Sequence, residues 1–465
     1  MTTFYVEQFG CRATQADGAA IERQLQEQGC EAAAELLKAD FVVLNTCTVT
    51  AAADAQARDA IRKIHAANPR TRIIVTGCYA QRAPEELAGL PGVAHVVGNS
   101  HKPEIPGLLK SIAAAPAPAR LLREDPVPYH AHSAEPAPIL SGDIFALSEV
   151  LVAPVLGGEG NHTRPTLKIQ DGCNSRCSFC VIPFVRGKSR SLPVGTVLAE
   201  IERLADSGFH EIVLSGINLG TYGRDLSPRV EFLELLRYVL GETGVERLRI
   251  SSIEPLDVTQ DMIELFAAHE RLAPHFHMPL QSASNRILQA MHRWYRAEHY
   301  ARRVELIHER LPHAAIGADV ITGFPGETDE EHAETLRFIE ERPFTYVHVF
   351  SYSLRPGTKA AGLGGHLPGD VIKRRARELR ALGERKAAEF RQSQIGRTLR
   401  VLTLHRDARD DASQTPALSQ NYLSVLIPEA LPHNQWLDVC VSHEEGNQLM
   451  VLRLENAPVL AGEAV

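Results

Sequence analysis

A chain of 465 residues, 44% hydrophobic and 23% charged, has room for roughly two to four domains that each bury a core. Those proportions exclude bulk disorder, and no apolar run approaches the roughly 18 residues a membrane helix needs. A net charge of -8 excludes a uniformly basic nucleic-acid binder but leaves a local basic patch open. The stretch from Met1 to Gly10 is neither basic nor continuously apolar, so no signal peptide is expected and the expected compartment is the cytoplasm. The 20 histidines are scattered and include no HExxH, so most read as surface or structural groups.

In chain order, Thr3–Phe9, Asp40–Asn45 and Arg72–Thr76 read as strands. Between them, residues 17–29 and 52–67 read as helices, closed by Gly29 and by Asn68-Pro69, with another helix from about Pro84. That β-α-β-α-β alternation predicts a parallel sheet over residues 1–112. Residues 113–158 are rich in alanine and proline and read as a linker with extended stretches, with room for a hairpin arm. A second β/α alternation fills 159–395, with strands at Thr166–Gln170, Glu211–Ser215, Arg247–Ser251, His275–Pro279, Ala315–Thr322 and Thr345–Phe350. Six such units predict a partial TIM-like barrel. From 396 to 465 only short strands remain, at Thr398–Thr403, Asn421–Ile427, Leu437–Val441 and Gln448–Leu454, which predicts a small β-barrel. The fold class is therefore α/β: an N-terminal parallel βαβ domain, a central (β/α)6 barrel and a C-terminal β-barrel.

Eight cysteines in a cytoplasmic chain point to metal or redox chemistry rather than disulfides. Cys173, Cys177 and Cys180 are spaced C-x3-C-x2-C directly behind a predicted barrel strand, where active-site loops sit. Three thiolates this close can hold three irons of a [4Fe-4S] cube and leave the fourth iron open. A structural zinc loop would need a second ligand pair, and none follows locally. With Phe179 before the last cysteine, the motif resembles the radical S-adenosylmethionine (SAM) signature. The resemblance implies that the open iron chelates SAM and that Cys173, Cys177 and Cys180 are the catalytic cluster ligands. One-electron cleavage of the sulfonium then yields a radical that removes a hydrogen atom. Leu214–Gly220 and Gly317–Glu327 resemble the SAM cradle of that superfamily. The candidate cofactor contacts are Phe179, Ser215, Gly216, Asn218, Ser251, Glu254, Gln281, Thr322, Gly323 and Gly326, with His277 a further candidate for the SAM or substrate pocket.

Cys11, Cys47 and Cys78 lie 36 and 31 residues apart, each just behind a predicted strand of the N-terminal sheet. Parallel strands end at one edge, so the three thiols are expected together there, as ligands of a second cluster. Unrelated buried cysteines would not share strand ends, whereas Cys30 and Cys440 lack such partners and read as structural.

Two three-cysteine clusters resemble the radical SAM methylthiotransferase family, as do Arg186–Ser191, His277–Ser284 and Phe350–Thr358. Family members add sulfur and a methyl group at an unactivated C–H. Asn45–Thr50 with Ala53-Asp54 resembles the branch acting on threonylcarbamoyladenosine 37 of tRNA, although Cys11–Gln15 departs from that branch's usual Cys-Lys-Val-Asn-Gln. The other branches act on isopentenyladenosine 37 or on an aspartate of a ribosomal protein; a two-cluster electron-transfer protein is the non-enzymatic alternative. The resemblance implies two [4Fe-4S] clusters, SAM, a tRNA anticodon loop as partner, an electron donor such as flavodoxin or ferredoxin, and a sulfur donor. No membrane partner is expected. Arg186, Lys188 and Arg190, beside the SAM motif, are the expected RNA contacts. Residues 373–400 carry ten Lys or Arg against three Glu, a second basic stretch. The C-terminal strands with Asn421-Tyr422 resemble the family's RNA-binding TRAM domain, although this one is acidic.

Overall fold

The computed structural model describes residues 2–114, 136–148, 150–151, 163–406 and 410–454. The N-terminal sheet is parallel throughout: β1 (Thr3–Gln8), β2 (Glu31–Ala32), β3 (Phe41–Thr46), β4 (Arg72–Gly77), β5 (Val93–Gly98) and β6 (Ile139–Leu140), in the order β2-β1-β3-β4-β5-β6. Its strands are apolar on both faces because helices cover both. Val42, Leu44, Ile73 and Val75 pack against Ala57, Ile61 and Ile64 of the helix Ala51–Ala67. Phe41, Val43 and Ile74 face Ile21 and Leu25 of the helix Arg12–Glu27 and Leu109 of the helix Ile105–Ala114.

Much of the linker predicted over 113–158 lies outside the described residues, including any hairpin arm. The piece that is described is structural: β6 extends the sheet by pairing Val96 with Ile139 and Val97 with Leu140.

The central domain holds β7 (Thr166–Asp171), β8 (Arg190–Ser191), β9 (Glu211–Gly216), β10 (Arg247–Ile250), β11 (His275–Gln281), β12 (Ala315–Thr322) and β13 (Tyr346–Ser351). Six of these are parallel, in the order β7-β9-β10-β11-β12-β13, with the pairing Ser252–His277 joining the two halves and β8 antiparallel on the outer edge of β7. A helix follows each parallel strand, from Val194–Asp206 to Gly369–Gln392, so the domain is an open (β/α)6 barrel. One continuous core runs from Leu167 through Leu248 and Phe276 to Leu382.

The C-terminal strands β14 (Thr398–Thr403), β15 (Thr415–Ser419), β16 (Ser424–Ile427), β17 (Trp436–Glu445) and β18 (Gln448–Arg453) close into a barrel. Buried Glu211 at the start of β9 binds Arg249 at 2.7 Å and Arg164 at 3.2 Å. Arg249 also donates to Ser419 O, while the Arg247 guanidinium lies 4.0 Å over the Trp436 ring. Tyr422, held at φ +67°, stacks on His275 at 4.3 Å. Asn421 donates to His313 O at 3.0 Å and is buried. Asn421 and Tyr422, which carry the likeness to an RNA-binding domain, thus dock the small barrel onto the central one.

Candidate metal centres and the pocket between them

Cys173, Cys177 and Cys180 occupy one loop beyond the C-terminal end of β7. Gly172, at φ +72°, starts the loop where a Cβ would come within 2.0 Å of Lys188 O. Cys173 N–H bonds Gly187 O at 3.1 Å and Ser178 N–H bonds Met291 O at 2.9 Å, which ties the loop to its neighbours. Asn218 Nδ2 lies 3.8 Å from Cys173 Sγ, and Arg293 Nη1 lies 3.4 Å from Cys177 Sγ. Burial, with Cys177 adding, pushes the Cys180 thiol up to about 12; burial also raises Cys177 against the pull of Arg293. Such thiols give up their protons readily only to a metal, so the donor set fits an iron–sulfur cluster.

Cys11, Cys47 and Cys78 sit at the carboxyl ends of the neighbouring strands β1, β3 and β4. Glycines make their convergence sterically feasible. Gly10, at φ +112°, has no room for a Cβ, which would lie 2.4 Å from Cys47 Cβ; at Gly77, φ +100°, it would lie 2.3 Å from Thr46 O. Burial, then Cys78 and Cys11, pushes Cys47 up to about 12. Thr14 Oγ1 lies 3.5 Å from Cys11 Sγ, and Asn99 Nδ2 lies 3.6 Å from Cys78 Sγ. Buried Asn45 Oδ1, Thr76 Oγ1 and Asn99 Oδ1 have no partner among the described residues. Cys30 lies in the N-terminal core and Cys440 in β17, away from both trios.

The candidate cofactor contacts cluster at the C-terminal ends of β9 to β12. Ser215 and Gly216 end β9, Ser251 follows β10, and Glu254 pairs closely with Arg293. Gln281, in the left-handed region at φ +64°, ends β11. Buried Asn218 Oδ1, Gln281 Oε1 and Thr322 Oγ1 have no partner among the described residues, which fits strand ends and loops built to meet a polar ligand. Gly323 and Gly326 are accounted for by packing: a Cβ on Gly323 would strike Ile372, and Gly326 N–H bonds Gly365 O at 2.8 Å.

A pocket of about 210 Å³ is walled by the loop behind Cys47 and by the Cys180 loop. Val49 and Thr50, from the loop behind Cys47, form one wall, and Phe179, Cys180, Val181 and Ile182 form another. Gln281, Asp319, Ile321 and Phe350–Ser353 complete it. Asp319 accepts from His277 at 2.9 Å and His348 at 3.2 Å. Burial raises the Asp319 carboxyl, but the two histidines outweigh it and bring it to about 2. His277 Nδ1 in turn lies 2.9 Å from Tyr346 Oη.

Two buried contacts clamp the N-terminal domain onto the barrel. Arg355 donates to Asp54 at 2.5 Å and to Thr48 at 2.7 Å, and Arg82 reaches the same Asp54 at 3.0 Å. Elsewhere, Asp17 binds Lys102 at 2.8 Å, Arg186 at 3.0 Å and Lys168, while Asp171 binds Lys168 at 2.9 Å and Arg186 at 2.9 Å.

This corrects the reading of Arg186 and Arg190 as RNA contacts. They are 2% and 6% exposed, and Arg190 bonds the carbonyls of Arg186 and Lys188, so neither can meet a phosphate. Only Lys188 of the three is exposed. Half of the ten basic residues in the stretch 373–400 are in ion pairs, among them Arg375 with Glu327 and Asp329, Arg385 with Glu340, and Arg391 with Glu444. Sequence reasoning missed Arg293, Lys168, Asp171 and Asp17, whose partners lie up to 169 residues away. Arg355 and Asp54 lie inside recognised motifs, but nothing in those motifs pairs them.

Comparison with known proteins finds that residues 167–339 match the model of the Radical SAM superfamily, and residues 3–98 that of "Uncharacterized protein family UPF0004". The threonylcarbamoyladenosine tRNA methylthiotransferase MtaB of Aquifex aeolicus is 38% identical over 90% of this chain and 95% of its own. Its namesake in Bacillus subtilis is 37% identical, over 86% and 85%. The tRNA-2-methylthio-N(6)-dimethylallyladenosine synthase of Thermobifida fusca is 37% identical, over 88% and 79%. Among solved structures, the radical SAM methyltransferase TsrM from Kitasatospora setae shares the fold, with a TM-score of 0.53 at 16% identity over 77% of each chain.

Proposed function

Because the chain belongs to the radical SAM methylthiotransferase family, we propose that it adds a methylthio group to C2 of N6-threonylcarbamoyladenosine at position 37 of tRNA. The observation that carries this reading is the single pocket with one wall from the Cys47 loop and another from the Cys180 loop. In this reading Cys173, Cys177 and Cys180 hold the cluster that binds SAM, and Cys11, Cys47 and Cys78 hold a second, auxiliary [4Fe-4S] cluster. When bound, the first supplies one-electron cleavage of SAM and the second supplies the sulfur.

The chain's own residues bind and orient. The buried atoms of Asn218, Gln281 and Thr322 that lack partners among the described residues support a hydrogen-bonding role toward SAM. Glu254 locks Arg293 against Cys177, which fixes the cluster loop. Gly216, Ser215 and Ser251 leave the strand ends small enough for close approach. A base must leave its stack to enter a pocket, and Phe179 and Phe350 offer rings to receive it. Val49, Phe350 and Leu354 are 47%, 44% and 50% exposed, an apolar rim on which neighbouring bases can rest. Lys188, exposed beside the cluster loop, is available to meet a phosphate.

Relatives act on two adenosine types, and the wall chemistry supports the threonylcarbamoyl one. Ser351, Ser353 and Thr50 put hydroxyls on the wall that a threonylcarbamoyl group can hydrogen-bond and an isopentenyl group cannot, while Asp319 is already held by His277 and His348. A tRNA substrate assigns the enzyme to the cytoplasm, where flavodoxin or ferredoxin supplies the electron and a separate donor restores the sulfur. No helix among the described residues is long and apolar enough to cross a membrane. Mass spectrometry of tRNA nucleosides from cells with and without the gene tests the assignment. The reading requires loss of 2-methylthio-threonylcarbamoyladenosine and accumulation of its precursor; loss of the isopentenyl derivative instead would overturn the substrate.

A further inference from the structure

The ion network between the domains is unbalanced. Among the described residues, Lys102, Lys168 and Arg186 pair with only two carboxylates, Asp17 and Asp171, and none of the five is more than 7% exposed. Arg190, 4.0 Å from Asp171, also feels Asp225, so counting this pair adds one cation and one carboxylate and leaves the surplus at one. A buried surplus cation costs several kcal/mol unless an anion lies close, and the network itself holds no such anion.

The nearest candidates are the auxiliary thiols. Arg186 Nη2 lies 3.5 Å from Thr14 Oγ1, which lies 3.5 Å from Cys11 Sγ. On the other side, Asn99 donates at 2.7 Å to the carbonyl of Val185, next to Arg186, while contacting Cys78 Sγ.

We propose that this network is the built-in counter-charge of the auxiliary centre, and that its surplus cation, focused through Arg186, sets the reduction potential of the cluster held by Cys11, Cys47 and Cys78. The inference rests on the reading that these three cysteines bind a cluster. An iron–sulfur core held by the three thiolates would be net negative. Reduction adds a further negative charge, which a neighbouring cation favours and a neighbouring carboxylate opposes. Arg186 is thus a positioning residue for the reaction. Asp17 and Lys102 come from the N-terminal domain, and Lys168, Asp171 and Arg186 from the barrel, so the charge balance is complete only when the two domains are docked.

The test uses the full-length chain with Cys173, Cys177 and Cys180 all replaced by Ala, leaving one cluster to titrate anaerobically by electron paramagnetic resonance. Arg186→Met should weaken reduction by about tenfold, a fall of about 59 mV for one electron. Arg186→Lys should restore most of it, and Asp171→Asn should shift the potential the opposite way. If Arg186→Met does not fold, Lys102→Met carries the same expected sign. Opposite shifts at unchanged iron content support the proposal. Shifts of one sign for both cation and carboxylate removal, or no shift, overturn it. A parent chain that binds no iron overturns the cluster reading as well.

Discussion

Replacing Arg355 with Ala tests whether the two cysteine trios must be held in register. Arg355 is 3% exposed and bonds Asp54 and Thr48 across the domain boundary, one residue from Cys47. Removing one partner of a buried ion pair costs about 3 to 5 kcal/mol. Here Arg82 still pairs with Asp54 and Thr48 still donates to it at 2.6 Å, so the loss reduces to about 2 to 3 kcal/mol, the range for one hydrogen bond to a charge. The contact lies between domains, so the cost falls on docking, whose equilibrium shifts by a factor of about 30 to 150. SAM cleavage needs only the barrel, whereas sulfur transfer needs both trios at one pocket. Arg355→Ala should keep SAM cleavage within about twofold and lower methylthiolated tRNA by at least tenfold. Both products can be read from one anaerobic reaction by mass spectrometry. Equal loss of the two, or loss of neither, would refute the clamp argument.

Gly77→Ala places a Cβ 2.3 Å from Thr46 O at a φ only glycine adopts freely, so it should displace Cys78 and halve the iron bound per chain, read by iron assay. Arg293→Met removes the hydrogen bond to Cys177 and leaves Glu254 unpaired; SAM cleavage should fall by at least tenfold in a 5′-deoxyadenosine assay. Glu211 links stability to pH. Burial pushes its carboxyl up, but Arg249, Arg164 and Arg247 outweigh it and bring it down to about 2. Its contribution, on the order of 3 kcal/mol, is present above about pH 4.5 and is lost as pH falls toward 2. Thermal melts should show Glu211→Gln well below wild type at pH 6, with the gap narrowing toward pH 3; a constant gap would contradict the assignment.

The parts of this molecule that were legible in the sequence are those written locally. Continuous apolar runs such as Phe41–Leu44 mark strands buried on both faces, and the spacing of Cys173, Cys177 and Cys180 needs only one loop. Cys11, Cys47 and Cys78 were legible because parallel strands share an edge. β5 was missed because Ala94 and His95 interrupt its apolar pattern, and β15 because Pro416 and small residues hide a short strand. The arginines were misread for a different reason. Charge in sequence looks solvent-bound, and only the fold brings Asp17 to Arg186 and Glu327 to Arg375. Asn421 and Tyr422 likewise resemble an RNA contact until His275 and His313 meet them.

The central claim is a division of labour between two cysteine trios whose loops, through Val49 and Thr50 on one side and Cys180 on the other, share the walls of one pocket. Its most direct test compares anaerobically reconstituted Cys47→Ala and Cys177→Ala with wild type on threonylcarbamoyladenosine-containing tRNA, measuring 5′-deoxyadenosine and methylthiolated nucleoside together. The account predicts that Cys177→Ala makes neither product, whereas Cys47→Ala still cleaves SAM but makes no methylthiolated nucleoside. Full methylthiolation by Cys47→Ala, or SAM cleavage by Cys177→Ala at the wild-type rate, would contradict it.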